Sequence, residues 1–192
     1  HVVTLHFGLA DGDEDLKKKL AERLVQLIEE RGDSLTTGFV GTPYLLDTLT
    51  EIGRADKAYT LLYREEFPSW LFSVNMGATT IWEHWDGLRN DGSVWSKDMN
   101  SFNHYSFGSV GKFYYQYILG IQPLEPGFAK IKIRPRIDSR IGAFSGSYKD
   151  ISVAYDGQLL HISTPADTQI ILSDGTVHEV GAGTYDFPVK EQ

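Results

Sequence analysis

Cysteine is absent from the 192 residues, methionine appears twice, and basic side chains are outnumbered, with 18 Lys and Arg against 26 Asp and Glu for a formal charge of −8. Without cysteine there is no disulfide, no thiolate nucleophile and no Cys-ligated zinc, and the compartment stays open between cytoplasm and a periplasmic or secreted location. Sparse, scattered cations exclude a nucleic-acid surface, which needs clustered Lys and Arg to displace counterions. Long apolar runs are also missing. Residues 1–10 are apolar but broken by Thr4 and His6 and carry no basic leader, so neither a signal peptide nor a membrane span is expected. What is present is 41% hydrophobic and 12% aromatic residues, enough for a core in one or two domains of roughly 100–200 residues each. The chain has no initiator Met and opens inside an apolar-periodic stretch with no cap or turn before it. It is therefore expected to be a C-terminal portion of something longer.

The periodicity divides the chain in two. Leu16, Leu20, Leu24, Leu27 and Ile28 recur at three- and four-residue spacing between Asp13 and Arg31, ahead of Gly32, which predicts an amphipathic helix with a glycine stop. Thr42-Pro43 reads as a capping hydroxyl and a first-turn proline opening a second helix before Gly53. Further helices are expected over 55–66 and 109–119, with a longer Gly/Asp/Ser connection at 86–98. At 121–127 two prolines and a glycine close the helical pattern and the period drops to two. The boundary is accordingly placed after residue 122, giving a helical part, 1–122, and a sheet part, 123–192. Runs at 130–134, 151–155, 160–162 and 169–172, with Asp156-Gly157 and Asp174-Gly175 as turns, predict an antiparallel sandwich.

Chemistry concentrates in Trp82-Glu83-His84-Trp85-Asp86, which holds two indoles, two carboxylates and an imidazole in succession. Indole faces stack on the C–H faces of sugars and carboxylates accept hydroxyl protons or activate water, so this cluster suits carbohydrate chemistry. A plain reading stays open beside it: a Trp-rich packing segment with a paired Glu83 and with Asp86 starting a loop. The run 99–108, containing His104, resembles a pocket rim or, equally, a capped helix start with a half-buried histidine. Glu83, His84, Asp86 and His104 lack the spacing that puts two histidines on one helix face, so no metal is expected, and no motif implies a cofactor.

Four ordered motifs carry a resemblance. Thr37-Gly38-Phe39-Val40-Gly41-Thr42-Pro43-Tyr44, Pro68-Ser69-Trp70-Leu71, Gly77 through Asp86, and Ser101-Phe102-Asn103-His104-Tyr105 through Val110 together resemble the bacterial α-L-rhamnosidases of glycoside hydrolase family 78. The resemblance implies the last helices of an (α/α)6 toroid followed by an antiparallel β-sandwich, and removal of terminal α-L-rhamnose with inversion. It implies Glu83 as general base and His104 as a rhamnose contact; Trp82, Trp85, Asp86 and Trp70 are read beside them as substrate-binding pocket wall or as the layer behind it. A base must stay ionised, so donors such as His84 or His104 are expected near its carboxylate. The general acid of such enzymes lies upstream, on a stretch with no counterpart here.

Two further expectations follow. A partial toroid leaves helix faces without neighbours, so Leu16, Leu20, Leu24 and Leu27 are expected to form an open stripe and the chain to self-associate or to dock on the missing N-terminal part. The alternative from another class is a non-catalytic carbohydrate-binding module using the same aromatic groups. A purely structural domain pair explains the sandwich and leaves the Trp-Glu-His-Trp-Asp run without a reason.

Overall fold

The computed structural model describes residues 1–189. They divide after Val110 into two compact units, one helical and one of sheets. The helical unit contains α1 (Val2–His6), α2 (Glu14–Glu30), α3 (Thr42–Glu51), α4 (Ala55–Leu62) and α5 (Trp70–Asn75). A 3-10 turn follows at Ser106–Ser109. Asp13 caps α2, its carboxylate accepting from the Leu16 N–H at 2.9 Å, and α2 buries Leu24, Val25 and Ile28. Of the four leucines expected in an open stripe, Leu24 is buried, Leu20 and Leu27 are half-buried, and Leu16 alone is exposed. The core of the unit is built on α3 and α4 through Leu45, Leu46, Leu49, Ala58, Tyr59 and Leu61.

Two local differences from the sequence reading have physical reasons. Gly41, not Thr42, caps α3. Thr42 lies inside the helix, and its hydroxyl donates to the Thr37 carbonyl at 3.0 Å and pairs with the Thr37 hydroxyl at 2.8 Å. Helix α4 ends at Leu62, where side chains tie its flank to the end of α2. The Lys57 ammonium reaches Glu29 and Asp33, each at 2.9 Å, and Arg64 donates to the Gly32 carbonyl at 2.8 Å.

The second unit starts with the remainder of a short helix, Val110–Phe113, which widens to a π-turn at Tyr114–Ile118. Eight strands follow: β1 (Ile121–Pro123), β2 (Ile131–Ile133), β3 (Phe144–Tyr148), β4 (Ile151–Tyr155), β5 (Leu159–Thr164), β6 (Thr168–Ile171), β7 (Val177–Val180) and β8 (Gly183–Pro188). They form two four-stranded sheets, ordered β1-β2-β6-β7 and β3-β4-β5-β8. The pairings are antiparallel except β2 with β6, which run parallel with Ile131 opposite Thr168. The sandwich is therefore mixed in one sheet and purely antiparallel in the other. Strand β1 straddles residue 122 and pairs with β2, Ile121 opposite Ile133.

Alternation explains the core. Along β4, Ile151, Val153 and Tyr155 are buried while Ser152 is exposed, as period two requires of a strand with one wet face. Ile121, Ile131, Ile133 and Ile170 from one sheet meet Ile151, Val153, Leu160 and Ile162 from the other in a single cluster, each burial stabilising by about 1.5–3 kcal/mol. The Asp-Gly turns form as their chemistry dictates. The Asp156 carboxylate accepts from the N–H groups of Gln158 and Leu159, and Asp174 from Thr176. No helix among the described residues is long and apolar enough to cross a membrane.

Candidate active site

The segment from Thr80 to His104 folds back on itself and sets the chemistry-bearing cluster. The Thr80 hydroxyl bonds the Phe102 carbonyl, His104 N–H donates to Ile81 O at 2.8 Å, and Glu83 N–H to Ser101 O at 2.8 Å. Farther out, Asn100 Nδ2 and Trp95 N–H both reach the Gly87 carbonyl, at 3.0 and 3.1 Å. Leu88 bridges Val94 in antiparallel fashion, and the excursion turns at 89–93 through Arg89 N–H to Ser93 O. The two arms thus form an irregular hairpin. Gly87 allows its closure, since a Cβ there would lie 3.0 Å from the Trp82 ring and 3.2 Å from the Phe102 ring.

Glu83 is fixed twice by the same residue of the opposite arm. Its backbone N–H donates to Ser101 O, and its Oε2 accepts the Ser101 N–H at 2.8 Å. The donor to the carboxylate is therefore a backbone amide, where His84 or His104 was expected. His84 instead stacks on Trp95, with centroids 3.8 Å apart, and its Nε2 is buried without a partner. His104 accepts from the Ser106 N–H through Nδ1 at 3.4 Å and stacks on Phe39 at 4.9 Å.

Glu83, His84, Trp85 and Asp86 form one side of a cleft of about 550 Å³, faced by residues 35–39 and by Phe67, Pro68 and Phe107. Trp85 lies flat on Phe107, 3.7 Å between centroids, and meets the edge of Trp70. Trp70 is buried behind it, and its indole N–H donates to the Phe107 carbonyl at 2.9 Å. Trp82 is buried against Phe102. Of the six residues singled out from the sequence, Glu83, Trp85 and Asp86 share the cleft lining. His104 reaches it through Phe39, Trp70 packs behind Trp85 and Phe107, and Trp82 packs on Phe102 within the hairpin. Among the described residues, no three His, Cys, Asp or Glu side chains are grouped to hold a metal ion.

Three participants were not singled out from the sequence. Phe39 and Phe67 add apolar wall, and Trp95 supports His84. Phe39 stood in the first of the four motifs without a role, Phe67 showed only as an aromatic residue before proline, and Trp95 only as an indole in the long Gly/Asp/Ser connection. The Ser101 amide left none, since any residue but proline supplies that donor.

The arrangement combines an anchored carboxylate with aromatic faces, as sugar recognition and water activation require. Comparison with known proteins points the same way. Residues 1–118 match the family model described as the bacterial alpha-L-rhamnosidase 6 hairpin glycosidase domain. The chain is 37% identical to an alpha-L-rhamnosidase of Streptomyces avermitilis over 98% of its own length and 21% of that protein's. It is 40% identical to one from an Alteromonas species over 74% of its length and 16% of that protein's. Crystal structures of the Streptomyces avermitilis alpha-L-rhamnosidase complexed with L-rhamnose and of the native Aspergillus terreus enzyme superpose with TM-scores of 0.87 and 0.85, at 38% and 32% identity. Each match covers 98% of this chain and 21% or 23% of theirs. The chain thus spans about a fifth of the relatives' length. Its helices and sandwich correspond to the end of a six-hairpin toroid and the sheet domain after it, and the chain belongs to the bacterial α-L-rhamnosidase six-hairpin glycosidase family.

Proposed function

We propose that this chain carries the base-bearing wall of the active site of an α-L-rhamnosidase that removes terminal α-L-rhamnose from glycosides or polysaccharides with inversion. Residues 1–122 belong to the toroid and 123–192 to the sandwich domain, with strand β1 at the joint. The observation that carries the reading is Glu83, held at the cleft by the Ser101 N–H on Oε2. That contact leaves Oε1 to take a proton from water as the water attacks the anomeric carbon. Inversion needs a second, protonated carboxyl roughly 6.5–9.5 Å away on the opposite face of the sugar to protonate the leaving oxygen. We assign that acid to the remainder of a longer protein, which also completes the toroid around the cleft. Trp85 and Asp86 contact the sugar directly, and His104 does so at the Phe39 edge. Trp70 and Trp82 hold Trp85 and the hairpin in place.

The test is hydrolysis of an aryl α-L-rhamnoside by the longer parent protein and its Glu83→Gln variant, following the released anomer by NMR. General base catalysis is worth about 10²–10⁴-fold, so turnover should fall by that factor. The unmodified enzyme should release the β anomer first. Undiminished turnover in the variant removes Glu83 from the mechanism. A parent that binds rhamnosides without cleaving them transfers the reading to a carbohydrate-binding module.

A further inference from the structure

The sheet-bearing unit holds a second cleft, of about 690 Å³, that has no part in the hydrolytic reading. Its lining includes Tyr115, Phe128 and Tyr148 together with Gln116, Gln122 and Lys112. Tyr115 is 47% exposed and Tyr148 43%, ring surface that packing of the unit leaves in water. The two rings stand 6.1 Å apart at 68°, and Phe128 lies 5.3 Å from Tyr148 at 47°. They present faces set at angles to one another. Gln122 donates one amide N–H to the Gln116 carbonyl at 2.9 Å, which fixes the amide and leaves its second N–H and its oxygen for a ligand.

The backbone adds an independent sign. Among the described residues Phe128, in the lining of this cleft, has a positive φ of +65°, whereas Lys149 at +52° owes its conformation to the two-residue turn that pairs Tyr148 with Ile151. A left-handed conformation costs a bulky L-residue roughly 1–2 kcal/mol, and such strain concentrates where a side chain must be held in place for a task. The Lys149 ammonium sits 5.2 Å from the Phe128 centroid and 5.8 Å from that of Tyr148, backing both rings with a cation.

We propose that this cleft is a second saccharide-binding site, which grips the glycan from which rhamnose is removed. Angled aromatic faces suit the C–H faces of pyranose rings, the fixed amide suits hydroxyls, and the volume accommodates one or two sugar units. The choice of a rhamnose-bearing glycan rests on the hydrolase reading above. A second hold on a polymer raises the effective concentration of chain ends at the first site.

The test has two arms. Affinity electrophoresis of the longer parent protein, made with Glu83→Gln so that the polymer is not cut, through gels containing a rhamnose-rich pectic polysaccharide should show retardation. Tyr115→Ala and Tyr148→Ala should each weaken it by about tenfold, the effect of truncating one buried aromatic anchor, while Tyr115→Phe, which keeps the ring, should retain it. Circular dichroism and unfolding midpoints verify that each variant is folded. In the longer parent with Glu83 intact, the two alanine variants should lower kcat/KM on the polysaccharide and leave it unchanged on an aryl rhamnoside. An unretarded parent, or alanine variants that are retarded and cleave polymer like the unmodified protein, overturns the proposal. Retardation lost with Tyr115→Ala in a parent that cleaves no rhamnoside would uphold the cleft while sinking the hydrolase reading.

Discussion

Replacing Gly120 by alanine should cost more stability than any comparable change at a turn glycine. Gly120 has φ +74°, and a Cβ built on it would lie 2.2 Å from the carbonyl carbon of Arg134, 2.3 Å from the nitrogen of Pro135 and 2.5 Å from the Arg134 oxygen. All three obstacles are backbone, so no side chain can rotate out of the way. The left-handed conformation costs about 1–2 kcal/mol, and displacing packed backbone about 1–3 kcal/mol more. A total of roughly 2–5 kcal/mol is thus expected. The Arg134 N–H bond to the Gly120 carbonyl, 3.0 Å long, should lengthen as the chains part. Gly175→Ala supplies the control, because Gly175 has φ +86° with open space around it and carries only the first penalty. Urea unfolding compares the two, with midpoints shifting at unchanged m. All four tryptophans lie in the helical unit, so the sheet unit is followed by circular dichroism. If Gly120→Ala loses no more than Gly175→Ala, the close approach has no energetic weight and the reasoning is refuted.

Trp70→Phe should cost about 1–3 kcal/mol, because it strips the buried Phe107 carbonyl of its donor; an unchanged fluorescence-monitored midpoint would contradict this. His161 lies between Asp186, 2.7 Å from Nδ1, and Asp156, 3.4 Å from Nε2, and the hydrogen bond to Asp186, then that to Asp156, raises its pKa. Its contribution to stability is complete below the unfolded value near ~6.5 and fades as pH rises through the higher folded value. An NMR titration of His161 should therefore have its midpoint above that of a free histidine and fall toward it in Asp186→Asn; equal midpoints would refute the contact. Phe7, Leu9 and Leu16 are 55%, 71% and 43% exposed around the first helical turn and α2. The isolated chain should accordingly grow in apparent mass with concentration by light scattering, and a monomer at all concentrations would argue against an open apolar face.

Local chemistry was legible from the sequence and long-range pairing was not. Asp13 and the Leu24–Ile28 face of α2, and the Asp156-Gly157 turn, depend on neighbours a few positions away. Helix α5 escaped because six residues are too few for a 3.6 period to register. Strand β3 escaped because its Ser-Gly-Ser centre is shallowly buried, and β8 because it runs into a proline. The parallel pairing of β2 with β6 joins segments far apart in the chain, which no local pattern announces. At the site, residue density exposed the Trp-Glu-His-Trp-Asp cluster. Which indole faces the cleft depends on Phe107 and Gly87, packing partners supplied from outside the motif.

The Thr80–His104 hairpin separates two jobs along one stretch of chain. Its base, closed by Ser101 on Glu83, sets the position of the carboxylate to within a hydrogen bond. Its tip at 89–93 is exposed or half-buried and bonded mainly to itself. Residues can therefore be added or removed at the tip without shifting the register below it, as exposed loop ends generally tolerate. Such an arrangement marks the tip as the place to insert a reporter or a new recognition peptide while keeping the carboxylate in place.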